Sequence, residues 1–215
     1  MSIRLDGVRI LLADDHALVR LGFRLLLESA GAIVVGEAAS GEDAIRRFAE
    51  LQPDVLAMDV SMPGIGGLAA LERLLAWAPK ARVLMLSAHA DNIVPTRALR
   101  LGARGYLCKE ASQNEFLRGV AEVARDRRYI DPALAQSVAL AQFSGADDPI
   151  ASLTEKELAV FLKLANGLSV AEVAEEFKLS PSTVGTHLYH IKQKLNVGNA
   201  AELTLTALRH GLLQA

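Results

Sequence analysis

The sequence predicts an α/β domain built on a parallel sheet, followed by a small all-helical domain. Two observations support this division of the 215 residues. Over residues 1–125, short apolar runs alternate with stretches of helical periodicity. This pattern is typical of a parallel sheet covered by helices on both faces. Beyond residue 150 the helical periodicity continues without a strand-like run, which indicates a separate helical domain.

The first domain contains five candidate strands that alternate with five candidate helices. Apolar runs with the length of buried strands occupy residues 8–13, 33–38, 54–58, 82–86 and 105–107. Helical spacing appears first in Leu18, Leu21, Leu25 and Leu26, and then in residues 41–51, 68–77, 92–101 and 113–123. Because crossovers between parallel strands are right-handed, this alternation predicts a doubly wound, five-stranded parallel sheet.

The second domain is predicted to contain four helices. The helical stretches are residues 155–166, 170–177, 181–195 and 199–210. Thr154 and Ser169 each stand three residues before a glutamate, as in a capping box, and Pro181 lies at a first helical position. These signals predict where three of the four helices begin.

A turn-rich segment at residues 144–149 separates the two patterns. We therefore predict a first domain over residues 1–125, a linker over residues 126–149 and a second domain over residues 150–215. Within the linker, residues 132–143 fit a short amphipathic helix.

Composition limits the class of protein. Hydrophobic residues make up 51% of the chain and charged residues 22%, which is the profile of a soluble globular protein. No apolar run reaches the length of a membrane span, and the first residues lack the apolar core of a signal peptide. The single cysteine, Cys108, excludes an internal disulfide and suits a reducing compartment. We therefore expect a cytoplasmic protein without membrane association.

Charged and hydroxyl side chains gather where the predicted strands end. The first strand is followed by Asp14 and Asp15, the third by Asp59, the fourth by Ser87 and the fifth by Lys109. Ligands of open α/β sheets bind at this edge, and clustered carboxylates repel one another unless a cation such as Mg²⁺ lies among them. The set predicts phosphoryl transfer onto a carboxylate, with Asp59 as the nucleophile and Lys109 beside a phosphoryl oxygen. Taken singly, each of these residues is more often a helix cap or a turn residue.

Four motifs resemble the receiver domain of two-component response regulators, which has a flavodoxin-like fold. They are Leu12-Ala13-Asp14-Asp15-His16, Asp59-Val60-Ser61-Met62-Pro63-Gly64, Ser87-Ala88 and Gly102-Ala103-Arg104-Gly105-Tyr106-Leu107-Cys108-Lys109. The resemblance covers residues 7–125 and implies that Asp59 accepts a phosphoryl group from a sensor histidine kinase. It also implies that Asp15, Asp59 and the backbone of Ser61 bind Mg²⁺, with Asp14 acting mostly through water.

The same resemblance implies roles for three further side chains. Lys109 would pair with the acyl phosphate, and Ser87 and Tyr106 would form the switch pair of the family. In that switch the Ser87 hydroxyl moves toward the phosphoryl group and Tyr106 turns inward. From the residues alone, Tyr106 is a half-buried aromatic beside a strand. By its position two residues after Ser87, His89 is a candidate for tuning the lifetime of the phosphoryl group.

Residues 170–195 fit a helix-turn-helix motif whose second helix enters the major groove. Val184, Leu188, Ile191 and Leu195 share one stripe of that helix and are predicted to face the core. The candidate DNA contacts are Lys178, Ser182, Thr183, Gly185, Thr186, Tyr189, His190, Lys192 and Lys194. No acidic residue lies between Glu176 and Glu202, so this segment is locally basic. The alternative is a generic four-helix domain with solvated lysines and histidines.

Residues 150–213 resemble the LuxR-type output domain of the NarL/FixJ class. The resemblance is carried by Thr183-Val184, His187, Ile191, Lys194-Leu195 and Val197, and the residues after Ala201 resemble the GacA/UvrY branch of that class. It implies binding to double-stranded DNA as a homodimer, with residues 199–210 supplying the contact helix. One departure concerns the position after Val184, which is usually basic in this class and here is Gly185.

The sequence thus predicts a transcription factor whose DNA binding is controlled by phosphorylation of Asp59. We expect no enzymatic activity beyond slow self-dephosphorylation. A Mg²⁺-dependent phosphohydrolase is one alternative, but Ser61 stands where a second carboxylate would complete turnover. A constitutive DNA-binding protein with a vestigial receiver is another, and the complete set of pocket residues argues against it.

Overall fold

The structure is a computed structural model that describes residues 3–88, 93–132, 134–135, 149–209 and 212–213. By its internal contacts the chain divides into two compact units, Met1–Ser144 and Gly145–Ala215. The first unit contains the sheet, and the second is helical.

The first unit is a parallel sheet whose first five strands are each followed by a helix. The strands are β1 (Arg9–Ala13), β2 (Ile33–Ala38), β3 (Val55–Asp59), β4 (Val83–Ser87), β5 (Gly105–Cys108) and β6 (Tyr129–Ile130). The helices are α1 (Ala17–Ser29), α2 (Gly41–Leu51), α3 (Gly66–Trp77), α4 (Ile93–Leu101) and α5 (Gln113–Ala124). The strand order is β2-β1-β3-β4-β5-β6, and each neighbouring pair is parallel. This arrangement confirms the predicted doubly wound parallel sheet.

The predicted number of strands, however, is wrong by one. The sixth strand, β6, pairs with β5 through Gly105 opposite Tyr129 and Tyr106 opposite Ile130. A strand of two residues is too short to produce a recognisable apolar run, and it lies within the segment predicted as a linker. The helix predicted over residues 132–143 falls largely outside the described residues.

The core of the first unit holds the strand ends in place. Every residue of β3, β4 and β5 is buried, because helices cover both faces of the sheet. One apolar cluster joins Ile10 and Leu12 of β1 to Phe116 and Val120 of α5. The Phe116 ring also stacks on Phe23 of α1, with ring centroids 4.3 Å apart. Burial of each such side chain stabilises the fold by about 1.5–3 kcal/mol.

Within its described residues, 149–209 and 212–213, the second unit has four helices after a short 3-10 turn at Pro149–Ser152. They are α6 (Glu155–Ala165), α7 (Val170–Glu176), α8 (Pro181–Leu195) and α9 (Ala200–Arg209). Both predicted capping boxes are confirmed, with the Thr154 and Ser169 side chains accepting hydrogen bonds from the backbone three residues later. Ser180 caps α8 in the same way, and Pro181 occupies its first position.

Burial in the second unit defines two faces of α8. Val184, Ile191 and Leu195 are buried as their spacing predicts, whereas Leu188 of the same stripe is only partly buried, and α8 contacts both α6 and α7. The opposite side of α8 is therefore exposed. In the part of the chain that the structure describes, no helix is long and apolar enough to span a membrane.

Candidate functional sites

The polar residues predicted to form a pocket do meet at the carboxyl edge of the sheet. Asp14 directly follows β1, and Asp59 and Ser87 are the last residues of β3 and β4. Backbone hydrogen bonds hold these ends together: the Val60 N–H donates to the Leu86 carbonyl at 2.8 Å, and the Lys109 N–H to the Ser87 carbonyl at 2.7 Å. The order of the strands thus brings side chains from four separate segments to one place.

The amine of Lys109 lies between two buried carboxylates. Its Nζ is 2.6 Å from Asp14 Oδ2 and 2.7 Å from Asp59 Oδ2. Burial acts to lower the pKa of Lys109, but hydrogen bonds to both carboxylates outweigh it and raise the pKa above its ordinary value. The amine is therefore charged at neutral pH and partly neutralises the pocket.

Asp59 is the most enclosed of the pocket carboxylates, with an exposed fraction of 1%. Burial raises the pKa of Asp59 above its usual range, and hydrogen bonding to Lys109 only partly offsets this effect. Its Oδ1 atom accepts no hydrogen bond from any described residue. A buried carboxylate oxygen without a donor is costly, and this atom is therefore suited to contact a cation or a reacting group.

Asp59 also belongs to a cluster of possible metal ligands. Asp14, Asp15, His16 and Asp59 each offer one ligand atom, and these atoms all lie within 4.8 Å of one another. The cluster, together with the unpartnered Asp59 oxygen, fits a hard divalent cation that prefers oxygen ligands. Ser61 is exposed two residues beyond Asp59.

His16 is a member of this cluster for which the sequence predicts no role. This residue is the N-cap of α1, and its backbone N–H donates to Asp14 Oδ1 at 2.8 Å. Its Nδ1 lies 3.0 Å from Asp15 Oδ1. The sequence feature that indicates its place in the cluster is the position of His16 directly after Asp15, because the turn into α1 brings its imidazole ring back to the carboxylates.

A close backbone approach fixes the position of Asp59. A Cβ atom on Gly67, near the start of α3, would lie 2.1 Å from the Asp59 carbonyl oxygen and 2.8 Å from Val60 Cα. The Gly67 N–H also donates to the Val60 carbonyl at 2.8 Å. Only glycine therefore lets α3 begin directly against the end of β3.

The two predicted switch residues, Ser87 and Tyr106, are both buried. Ser87 ends β4 opposite Cys108 of β5, two residues beyond Tyr106. Tyr106 has an exposed fraction of 0%, so the interpretation as a half-buried aromatic is wrong and the ring lies inside the unit. His89, the candidate for tuning phosphoryl lifetime, lies outside the described residues.

The candidate DNA contacts lie mostly on the exposed side of α8. The members exposed on α8 are Ser182, Thr183, Thr186, Tyr189, His190 and Lys194, and the partly exposed members are Gly185 and Lys192. The Tyr189 ring meets the His190 ring edge-on, with centroids 5.8 Å apart. The exposed side of α8 therefore presents mainly aromatic, hydroxyl and methyl groups and is not strongly basic.

Two of the predicted lysine contacts also bind partners within their own domain. Lys194 Nζ lies 2.5 Å from Glu157 Oε2, and Lys192 Nζ donates to the Gly198 carbonyl at 2.8 Å. Lys178 is exposed after α7, with a left-handed φ of 53°. Sequence reasoning missed the pairing of Lys194 because its partner is 37 residues away in the chain.

Glu157 links the start of α6 to the end of α8. It is buried, and burial acts to raise its pKa, but hydrogen bonds from Lys194 and Thr154 outweigh burial and leave the pKa below its ordinary value. His190 Nδ1 is also near, at 3.8 Å from Glu157 Oε1. This carboxylate therefore fixes the helix that carries the candidate DNA contacts.

Comparison with known proteins matches both units to families. Residues 10–121 match the response regulator receiver domain, and residues 151–207 match the bacterial regulatory proteins of the luxR family. Both matches confirm the resemblances predicted from the sequence motifs.

Relatives of known type extend over almost the whole chain. Response regulator GacA of Pseudomonas aeruginosa is 41% identical, with 97% of this chain and 99% of the relative covered. Response regulator UvrY of Escherichia coli K12 is also 41% identical, with 97% of each covered. Among solved structures, a LuxR-family two-component response regulator from Aurantimonas sp. is 34% identical with a TM-score of 0.61, covering 64% of this chain and 99% of that one.

Proposed function

The chain belongs to the response regulator family, with a receiver domain and a LuxR-type DNA-binding domain, and we propose that phosphorylation of Asp59 controls its binding to DNA. One observation carries the proposal. Asp59 is buried at the strand edge with an unpartnered oxygen, the Lys109 amine lies 2.7 Å from its other oxygen, and Asp14 offers a ligand atom within 4.8 Å. Asp14 is also buried against Lys109, but both of its oxygens have a neighbouring donor, the Lys109 amine at Oδ2 and the His16 N–H at Oδ1.

The chemistry is transfer of a phosphoryl group from a sensor histidine kinase to Asp59. An Asp59 carboxylate oxygen forms the new O–P bond while the bond from phosphorus to the histidine nitrogen of the kinase breaks. Lys109 is within hydrogen-bond reach of the same carboxyl group, so its ammonium can shift to a phosphoryl oxygen and hold the acyl phosphate. The electron pair of the broken bond stays on the histidine ring.

We propose Mg²⁺ as the cation of this pocket. Asp15, Asp59 and the Ser61 backbone would hold it directly, with Asp14 mostly through water, and His16 closes the ligand cluster. Bound there, Mg²⁺ would neutralise charge on the transferring group and orient it. Two observations support this assignment. One Asp59 oxygen has no hydrogen-bond partner, and the three carboxylates of the cluster supply the hard oxygen ligands that Mg²⁺ prefers.

Coupling to the second domain would run through Ser87 and Tyr106. Ser87 is the last residue of the neighbouring strand β4. A phosphoryl group on Asp59 would attract the Ser87 hydroxyl. Tyr106 is buried one strand further along, so a shift of Ser87 alters its packing and the surface around α4. We propose that this change pairs two chains into a dimer whose α8 helices meet a two-fold related DNA site.

Asp59 lacks a neighbouring acid or base that would complete rapid hydrolysis, because Ser61 stands two residues on. We therefore expect slow self-dephosphorylation of Asp59 rather than the rapid turnover of a phosphohydrolase. Multiple turnover of a small phosphate ester by the purified chain would favour the hydrolase instead.

The proposal is tested by incubating the full chain with acetyl phosphate and Mg²⁺ and mapping the modified residue by mass spectrometry. We expect one phosphoryl group on Asp59 and none in Asp59→Asn. Asp54→Asn is a matched control, because Asp54 lies just before the other end of β3 and contacts the Arg9 backbone. Labelling of Asp59→Asn to the wild-type level would contradict the proposal.

A further inference from the structure

The first ten residues of α8 carry none of the side chains that most often read guanine or cytosine. Residues 181–190 contain no Lys, Arg, Asp, Glu, Asn or Gln. Arginine and lysine are the usual partners of guanine, and acidic side chains accept from cytosine. The half of a recognition helix that meets base edges is its N-terminal half. In this half of α8, base recognition therefore relies on hydroxyl, methyl, imidazole and aromatic groups.

Thr186 lies at the centre of the exposed side of α8. It is exposed, and it is one turn from Ser182 and from Tyr189, which are exposed on the same side. Its hydroxyl donates to the Ser182 backbone carbonyl at 3.1 Å. The hydroxyl hydrogen is thus engaged inside the helix, which leaves the methyl group and the acceptor lone pairs of the hydroxyl oxygen to contact a partner.

The backbone around Thr186 permits close approach. A Cβ atom built on Gly185 would meet nothing within 4 Å, so the helix presents a low, open surface beside Thr186. A methyl–methyl contact needs carbon atoms within about 4 Å of each other. A glycine at this position removes the side chain that would otherwise hold the helix away from the bases.

We propose that the Thr186 methyl group contacts the C5-methyl group of a thymine in the major groove, and that this contact makes the protein prefer thymine at that position. This inference rests on the proposed function, because it requires α8 to be the recognition helix. Thymine is the standard base that presents a methyl group in the major groove, and apolar contact is the way in which proteins recognise it. Thr186 would thereby specify one thymine in each half-site.

The test uses uracil, which pairs as thymine does but lacks the C5-methyl group. Random duplex libraries amplified with either dTTP or dUTP are selected in parallel with the full chain in beryllium trifluoride and Mg²⁺. Each thymine of the enriched site is then replaced singly by deoxyuridine. We expect one position per half-site at which the replacement weakens binding about four-fold, as for loss of one apolar methyl contact.

Three variants test whether the penalty for uracil arises from the Thr186 side chain. Thr186→Val keeps a methyl group and should keep the four-fold penalty for uracil at that position. Thr186→Ser removes the methyl group and should abolish the penalty. Thr154→Ser is the matched control, because it also removes an exposed threonine methyl group, but at the N-cap of α6, where the serine hydroxyl keeps the helix cap, and this variant should keep the wild-type penalty for uracil.

An enriched site that tolerates uracil at every position would overturn this inference while leaving phosphorylation-controlled DNA binding in place. A uracil penalty that persists undiminished in Thr186→Ser would overturn it equally. Failure of the wild-type chain to enrich any sequence would contradict the proposed function itself, and the assignment of Thr186 with it.

Discussion

At the scale of single residues, the pocket depends on a balance between two buried carboxylates and one ammonium group. The Lys109 side chain is 13% exposed, and those of Asp14 and Asp59 are 3% and 2% exposed. Charges this deeply buried are tolerated because they are paired. The removal of the ammonium would leave two carboxylates without compensation.

Lys109→Met should therefore destabilise the first unit by about 3 kcal/mol in the absence of divalent cations. Added Mg²⁺ should restore part of this loss, because a cation among the carboxylates replaces the missing charge. Urea unfolding followed by the fluorescence of Trp77, the single tryptophan of the chain, measures both effects. Lys80→Met, at an exposed position, is the control, and equal midpoints for the two variants would refute the expected charge balance.

Glu157 has the opposite titration behaviour from Asp59. Its pKa is lowered from the ordinary value of 4.5, because hydrogen bonds from Lys194 and Thr154 outweigh burial. A carboxyl group whose pKa is lowered on folding stabilises the folded state above its ordinary pKa. That contribution is lost as the pH falls through the lower folded value.

Glu157→Gln should destabilise the second unit by about 2 kcal/mol at neutral pH, since it removes a charged hydrogen bond to Lys194. The difference from wild type should shrink as the pH falls below about 4.5. Urea titrations of the full chain, read by pulsed hydrogen exchange of α6 and α8 peptides, measure this difference. A difference that stays constant from pH 7 to pH 3 would show that the carboxylate charge is not responsible.

At the scale of elements, the junction between β3 and α3 has no room for a side chain at Gly67. Gly67→Ala would place Cβ against backbone atoms of Asp59 and Val60, which cannot rotate away as a side chain can. We expect a loss of about 3 kcal/mol in stability and slower phosphorylation of Asp59. Gly22→Ala, on the open side of α1, should instead gain about 0.5–1 kcal/mol, and thermal melts of both variants separate the two outcomes.

The elements also show what could be predicted from the sequence and what could not. The pocket was predictable because parallel strands end at one edge, so Asp14, Asp59 and Lys109 had to converge. Strand β6 could not be predicted, because a strand of two residues is too short to show an alternation of apolar and polar side chains. The partner of Lys194 could not be predicted either. Its contact with Glu157 depends on how α6 packs against α8, and this packing leaves no local pattern in the sequence.

At the scale of the whole molecule, DNA binding has little electrostatic support. The chain has a formal net charge of −2, and Lys192 and Lys194 already contact groups in their own domain. Affinity must then depend on dimerisation and on close contacts along α8. This makes DNA binding sensitive to a switch that controls pairing of the chains.

The salt dependence of DNA binding should therefore be shallow, corresponding to roughly 3–6 phosphate contacts per dimer. Gly185→Lys should steepen it by about one contact per protomer, because the added amine would lie on the exposed side of α8. Fluorescence anisotropy across a range of potassium chloride concentrations gives both slopes. A wild-type slope as steep as that of a strongly basic repressor would contradict the low charge inferred for this surface.

The central claim is that the state of the Asp59 pocket controls DNA binding. Its most direct test is the dissociation constant of the full chain for one DNA site, measured with and without beryllium trifluoride and Mg²⁺, in wild type and Asp59→Asn. We predict at least about ten-fold tighter binding by activated wild type, equivalent to about 1.4 kcal/mol, and no change in Asp59→Asn. Equal affinity of wild type in the two states would contradict the account.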